Sequence, residues 1–320
     1  MQFDRRTLIS GLTLSACAAM LPKSLSAAVR SGFFQRRRLP VGIQLYMLGP
    51  EVAKDLDATF TRLAAIGFRE IELPGLYGRK PAELSQAAAR AGLQIASLHL
   101  PLVQGTGLSG LSLGSEPGRI ADALGALGAK WAVAPLLMLP SGFRPLAGEG
   151  MEAAITRSVT TAGIDIWKQT AAILNEKGAA LKSSGFRVAY HNHNLEFAPI
   201  GSTNGWNILW EETQADLVSF EIDIGWVAAA GLDAVDFLRR MAPRARLLHI
   251  KDLTADSPRN YGLKMVPADI GAGSLDLSRI LPAAYAAGVR HFLVEQEPPF
   301  KTSRIAAAET AFAFLKDLKA

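Results

Sequence analysis

Five short runs place imidazole, carboxylate and ammonium groups at the ends of apolar, β-like sequence. They are Ser97-Leu98-His99, Tyr190-His191-Asn192-His193-Asn194-Leu195-Glu196, Glu221-Ile222-Asp223, His249-Ile250-Lys251-Asp252 and Glu295-Gln296-Glu297. The chain has five histidines; four lie in these runs, and His291 begins an apolar run instead. Side chains alternate along a strand. His191 and His193, Glu221 and Asp223, His249 and Lys251, and Glu295 and Glu297 therefore each share a face while the backbone stays extended. The flanking Ile, Leu and Val residues take the other face. Carboxylates gathered in this number need a counter-ion, or their pKa values climb steeply. A divalent metal is the simplest one, and carboxylates with imidazole suit Mn²⁺, Mg²⁺, Co²⁺ or Zn²⁺ better than metals that prefer thiolates. One polar residue at one strand end is usually solvated or ion-paired, and Lys251 could simply pair with Asp252 or Glu297. Five such ends together point to chemistry.

For these runs to converge they must end neighbouring parallel strands. β-Like segments at 41–46, 70–73, 94–99, 130–134, 187–191, 217–223, 246–251 and 291–295 alternate with helical patterns at 52–65, 81–91, 117–127, 151–183, 204–213, 233–241, 277–287 and 302–318. Gly67, Gly92, Gly128, Gly185 and Gly288 each stand between a helical segment and the next strand, where a left-handed cap costs glycine little. Eight such units predict an α/β fold, a single-domain (β/α)8 TIM barrel over 41–320, with its chemistry at the C-terminal strand ends. A doubly wound open sheet is the alternative, but no G-x-G-x-x-G follows the first strand to hold a nucleotide phosphate.

Composition agrees with a globular enzyme. The chain has 320 residues, of which 49% are hydrophobic and 20% charged, so it is neither disordered nor a disulfide scaffold. A chain of this length needs no metal merely to fold. The net charge of +5 is concentrated near the N-terminus, where Arg30, Arg36, Arg37 and Arg38 share one segment. The near-neutral remainder lacks the basic face of a nucleic-acid binder. Arg5 and Arg6 precede a mildly apolar stretch ending at Leu21, followed by small residues at Ser24, Ser26, Ala27 and Ala28. This predicts a cleavable signal peptide over 1–28 of twin-arginine type, with periplasmic export and a basic, mobile linker over 29–40. Cys17, the only cysteine, gives lipid anchoring as the alternative. A cut near 26–28 removes it and excludes thiol chemistry. No other apolar run is long enough to span a bilayer.

Several strings resemble the sugar phosphate isomerase/epimerase family, with its xylose isomerase-like barrel. They are Gly42-Ile43-Gln44-Leu45-Tyr46, Gly67-Phe68-x-Glu70-Ile71-Glu72-Leu73, Ser97-Leu98-His99, Tyr190-His191-Asn192-His193-x-x-Glu196-Phe197, Asp223-Ile224-Gly225-Trp226, Leu248-His249-Ile250-Lys251-Asp252 and Val294-Glu295-Gln296-Glu297. The resemblance covers about 41–318. It implies one divalent metal, Mn²⁺ first among the candidates, held by Glu196, Asp223, His249 and Glu295, with His191 or His193 as the alternative strand-five ligand. Trp226 stands where many epimerases have a substrate-binding His, and could stack on a sugar ring. Glu297 stands where close relatives often have Asp, among the substrate-binding groups.

The implied chemistry is proton abstraction next to a carbonyl through an enediolate, with the metal as Lewis acid. His191 and His193 are the candidate bases or orienting groups, since imidazole titrates near neutral pH. Lys251 could steady an alkoxide, and His99 and Glu72 could bind sugar hydroxyls. The expected activity is isomerisation or epimerisation of a sugar or keto sugar. A lyase or dehydratase acting on a 3-keto-glycoside or inosose is the alternative, because the same ligands serve both. A non-catalytic periplasmic sugar-binding protein is a third reading. An abasic-site endonuclease of the same barrel type is disfavoured by Trp226 and the near-neutral body. The expected partner is a small-molecule sugar, with no nucleic acid, no membrane span, and a homo-oligomer as an open possibility.

Overall fold

A computed structural model of the chain describes residues 32–102 and 110–320. Eight parallel strands close into a barrel in sequence order: β1 Gly42–Gln44, β2 Glu70–Leu73, β3 Gln94–His99, β4 Trp131–Ala134, β5 Arg187–His191, β6 Val218–Asp223, β7 Ala245–Ile250 and β8 His291–Val294. β8 pairs back onto β1, which leaves no open edge. The helices around the barrel are α1 Phe33–Arg37, α2 Gly49–Lys54, α3 Leu56–Ile66, α4 Pro81–Ala91, α5 Pro117–Leu127, α6 Met151–Ala162, α7 Ile164–Ser183, α8 Gly205–Glu212, α9 Ile224–Ala229, α10 Ala234–Arg240, α11 Leu277–Ala287 and α12 Arg304–Asp317. None of the described helices is long and apolar enough to cross a membrane.

The eightfold alternation expected from the sequence holds for the strands, while the helices are more finely divided. The segment 151–183 breaks at Gly163, whose φ of 62° leaves the helical region. Asp55 interrupts 52–65. It is extended, and its carboxylate accepts from the Ala58 amide to cap α3. The leader expected over 1–28, with Arg5, Arg6 and Cys17, lies outside the described residues.

Strand parity builds two cores. Val188, Tyr190, Phe220, Ile222, Leu248, Ile250, Phe292 and Val294 are buried in the layer shared with the helices. Trp131, Val133, Ala189, Leu247 and Leu293 form a separate buried cluster. Two residues further along the same strands stand His191, His249 and Glu295. The apolar plug is thus the floor beneath the polar strand ends.

Residues 33–39 do not behave as the mobile linker expected of them. Phe33 and Phe34, at 1% and 4% exposure, bury α1 against the barrel. Both rings stack edge-on with Phe292, at 5.8 and 5.6 Å. The Phe33 amide donates to the Leu318 carbonyl, tying α1 to the C-terminal segment. The two phenylalanines, overshadowed in sequence by the basic run after them, decide the outcome. Phe33→Ala should lower unfolding free energy by about 3–5 kcal/mol, read by denaturant melts. A loss below about 1 kcal/mol would mean that α1 is only loosely attached.

Candidate active site

The deepest polar layer is a ring set by strand register. Gln44 pairs with Glu72, and Glu72 with Ser97 just past a register shift in β2. Glu72 is fully buried. It accepts from Gln44 Nε2 at 2.6 Å and from Ser97 Oγ, and faces His249 Nε2 at 2.6 Å and His99 Nε2 at 3.0 Å. Burial pushes its pKa up, but the His99 and His249 charges outweigh that and hold it well below the usual carboxylate range. Glu72 is therefore occupied by its own chain at the bottom of the polar layer. His99, its companion in the sequence reading, reaches the cavity above.

Over this ring lies a cluster of imidazoles and carboxylates. His191 on β5 is in register with Glu221 on β6, and Asp223 on β6 with His249 on β7. Glu221 Oε2 lies 3.1 Å from His99 Nε2, 3.1 Å from His191 Nδ1 and 3.3 Å from His249 Nε2. On its other edge, His249 Nδ1 lies 2.8 Å from Glu295 Oε2 and 3.6 Å from Asp223 Oδ2. Two groups of potential ligand atoms result, each with its members within 4.8 Å of one another: His99, His191, Glu221 and His249, and Asp223, His249 and Glu295.

These residues fit a divalent ion. Glu221 Oε1 is buried without a hydrogen-bond partner, and such an atom is costly unless something charged faces it; Asp223 Oδ2, also without a hydrogen bond, is faced by the Lys251 ammonium at 3.1 Å. The protonation pattern agrees. Burial pulls the His99 and His249 pKa values down, yet the carboxylates around them win, taking His99 up to about 10 and His249 well above its ordinary range. Burial, with Glu72 next, pushes Glu221 up to about 7. Without a further cation the cluster must hold extra protons, and a divalent ion discharges the same imbalance. Of the two groups, Asp223, His249 and Glu295 supplies two carboxylates with one imidazole, and Glu295 borders the cavity.

Lys251 completes this side. Its Nζ lies 2.8 Å from Glu297 Oε1, 3.0 Å from Glu295 Oε2 and 3.1 Å from Asp223 Oδ2. Burial alone would lower its pKa, but the three carboxylates hold it well above the ordinary lysine value. Trp226 follows Asp223 on α9, which Asp223 Oδ1 caps by accepting from the Trp226 amide at 3.0 Å. The Trp226 ring lies 5.2 Å from His193 and 5.0 Å from the Lys251 ammonium. It borders the cavity with 4% exposure. Gly225 allows this packing. A Cβ there would come within 2.6 Å of Lys251 Cβ and 3.2 Å of Asp223 Oδ1. Gly225→Ala should cost about 1–3 kcal/mol and lower turnover by displacing Lys251. Unchanged turnover and melting would show that this contact is slack.

The strand-five motif divides its labour. β5 ends at His191, and residues 195–197 form a 3₁₀ turn. The alternation that grouped these side chains in the sequence stops there. Glu196, expected among the metal ligands, has one oxygen accepting from Tyr190 Oη at 2.6 Å and the other from the His193 amide at 3.0 Å. It is in neither ligand group. Burial pushes its pKa up to about 7. His191 and His193 both line the cavity. Burial holds His191 well below its usual range, and burial with the Lys251 charge takes His193 down to about 4. Both are neutral at pH 7.

Sequence reasoning left Glu221, Gln44, Asn192 and Asn194 without roles. Asn192 Oδ1 accepts from the Asp223 amide at 3.0 Å, fixing β6 against β5. Asn194 Nδ2 donates to the Asn260 carbonyl at 3.0 Å, and its Oδ1 accepts from the Leu263 amide at 3.0 Å. This anchors the loop after β7. The asparagine after each of the two histidines was the available signal, since buried amides of this kind must find partners. A cavity of about 870 Å³ opens at the barrel mouth, bordered by His99, His191, His193, Lys251, Glu295 and Glu297.

The family model for xylose isomerase-like TIM barrels matches residues 60–318. An inosose dehydratase of Clostridium perfringens is 26% identical over 214 residues, covering 64% of this chain. The chain spans 66% of that relative's length. A sugar phosphate isomerase/epimerase from Parabacteroides distasonis superposes with a TM-score of 0.66 at 23% identity, covering 87% of this chain and 94% of that one. The 3-keto-D-glucoside 4-epimerase of E. coli superposes with a TM-score of 0.56 at 17% identity, covering 87% and 98%. At these identities the two structures share the fold.

Proposed function

Because the chain belongs to the xylose isomerase-like TIM barrel family, we propose that it is a divalent-metal-dependent isomerase or epimerase of a keto sugar, acting by proton abstraction next to the carbonyl. The observation that carries this reading is the buried group Asp223, His249 and Glu295 beside two neutral imidazoles at the base of one cavity. These three residues would hold the ion, with Mn²⁺ the first to try. Glu72, 2.6 Å from His249 Nε2, accepts that nitrogen's proton and leaves Nδ1 as the ligand atom. A divalent ion bound there supplies Lewis-acid polarisation of the substrate carbonyl.

The chain's own groups do the rest. Glu221 accepts the proton on His191 Nδ1 at 3.1 Å, which leaves Nε2 free to take a proton from substrate. His193, whose Nδ1 has no partner, is a second neutral imidazole on the same wall, braced by Trp226. Lys251 presents a permanent positive charge to oxygen that gains negative charge as the α-proton leaves. Glu297 holds that ammonium in place at 2.8 Å.

A second reading is supported by the inosose dehydratase relatives: after the same proton abstraction, a β-hydroxyl or alkoxyl group leaves instead of a proton returning. NMR of keto sugars in D₂O with Mn²⁺-loaded protein tests both. The proposal expects solvent deuterium at the carbon next to the carbonyl in an isomer or epimer. Loss of water or an alcohol moves the assignment to the lyase, and absence of any exchange overturns both.

A further inference from the structure

We propose that the outer half of this cavity binds an apolar aromatic or alkyl group carried by the sugar, so that the substrate is a glycoside rather than a free sugar or a sugar phosphate. The inference rests on the carbonyl chemistry proposed above and adds the substrate class.

The cavity has two unlike halves. Its base is polar, and its outer wall carries Leu136, Met151, Ile155, Leu263, Met265 and Val266. Among the described residues five large hydrophobic side chains are exposed, and three of them, Tyr46 at 53%, Met151 at 53% and Val266 at 41%, border this cavity. Exposed apolar side chains scattered over a surface need no explanation, but their gathering at one mouth marks a binding surface. The volume, about 870 Å³, lies towards the upper end of the ~300–1,000 Å³ that enclose drug-sized ligands. A sugar ring on the polar base leaves much of it to be filled.

The wall is also built in place. Asn194, fully buried, ties the loop at Asn260 and Leu263 to the end of β5, and the Thr254 amide donates to the Val266 carbonyl at 3.0 Å. The same motif that carries His191 and His193 thus sets the distance from the apolar wall to the reacting groups. A phosphate has poor partners here. No arginine is among the described residues that line the cavity, Lys251 is shared by three carboxylates, Glu152 stands in the first turn of α6, and the exposed Lys264 is the single further lysine of the lining. Phosphate recognition gathers arginines, several lysines or an unopposed helix N-terminus around the group, and one exposed lysine is less than that.

The test compares 3-keto-glucose, its methyl glycoside and its phenyl glycoside on Mn²⁺-loaded protein, following α-carbon deuterium exchange and KM. The expected result is a KM for the phenyl glycoside at least about tenfold below that of the methyl glycoside. In the Met151→Asp, Val266→Asp double variant that ratio should collapse towards one. Both positions are exposed, so folding is not at stake, and the ratio carries its own control. Equal KM values for the two glycosides, or a preference for the free sugar, would overturn the apolar subsite and leave the carbonyl chemistry standing. Exchange on none of the three would remove that chemistry and the subsite with it.

Discussion

Asp223→Asn should leave the barrel folded while removing most of the bound metal and lowering turnover by more than the ~10–100-fold typical of losing a residue that only supports a ligand. The asparagine oxygen can still accept from the Trp226 amide and cap α9. The Asn192 bonds go to the Asp223 backbone and persist. What disappears is the negative charge 3.6 Å from His249 Nδ1 and 3.1 Å from Lys251 Nζ. Glu196→Gln is the matching control. Glu196 spends its oxygens on Tyr190 and the His193 amide, so its variant should keep about one metal per chain. Metal lost in both variants would restore the ligand set that the family resemblance implied, which adds Glu196 to the three residues argued from the geometry, and metal retained in Asp223→Asn would overturn both sets.

His191→Gln and His193→Gln should each cost about 10²–10⁴-fold in turnover, the range for loss of a general base, with metal content unchanged. Glutamine keeps size and polarity but cannot take up a proton at these pH values. His191 should show the larger loss, because Glu221 orients it and leaves its other nitrogen free. A loss of stability without loss of turnover per folded molecule would make that histidine structural. Loss of metal in His191→Gln would place the ion in the deeper group with His99 and Glu221. Unchanged turnover in both variants would end the catalytic reading of the strand-five motif.

The strand ends were legible in the sequence because alternation needs only an extended backbone. Asp223, His249, Lys251, Glu295 and Glu297 meet where parity and parallel order place them. Parity reaches no further than the end of β5, where the backbone leaves the extended form; Glu196, which came from the family resemblance and not from alternation, lies beyond that point, in the 3₁₀ turn. Glu72 shows a second limit. Its neighbours Gln44 and Ser97 come from inter-strand register, including a shift within β2, and register is not written in a single strand. Glu221 was visible as a polar residue at a strand end, but its place among three imidazoles depends on β5 and β7 on either side of β6. The helix at Phe33 and Phe34 was obscured by the charged residues that follow it.

Anomalous diffraction from crystals grown with Mn²⁺ tests the central claim most directly, because it locates the ion without reference to turnover. One ion is predicted at about 2.0–2.3 Å, ordinary coordination distance, from Asp223, His249 Nδ1 and Glu295, with Glu196 still bound to Tyr190. A peak coordinated by Glu196, or no peak within reach of Asp223 and Glu295 at saturating Mn²⁺, would contradict the account.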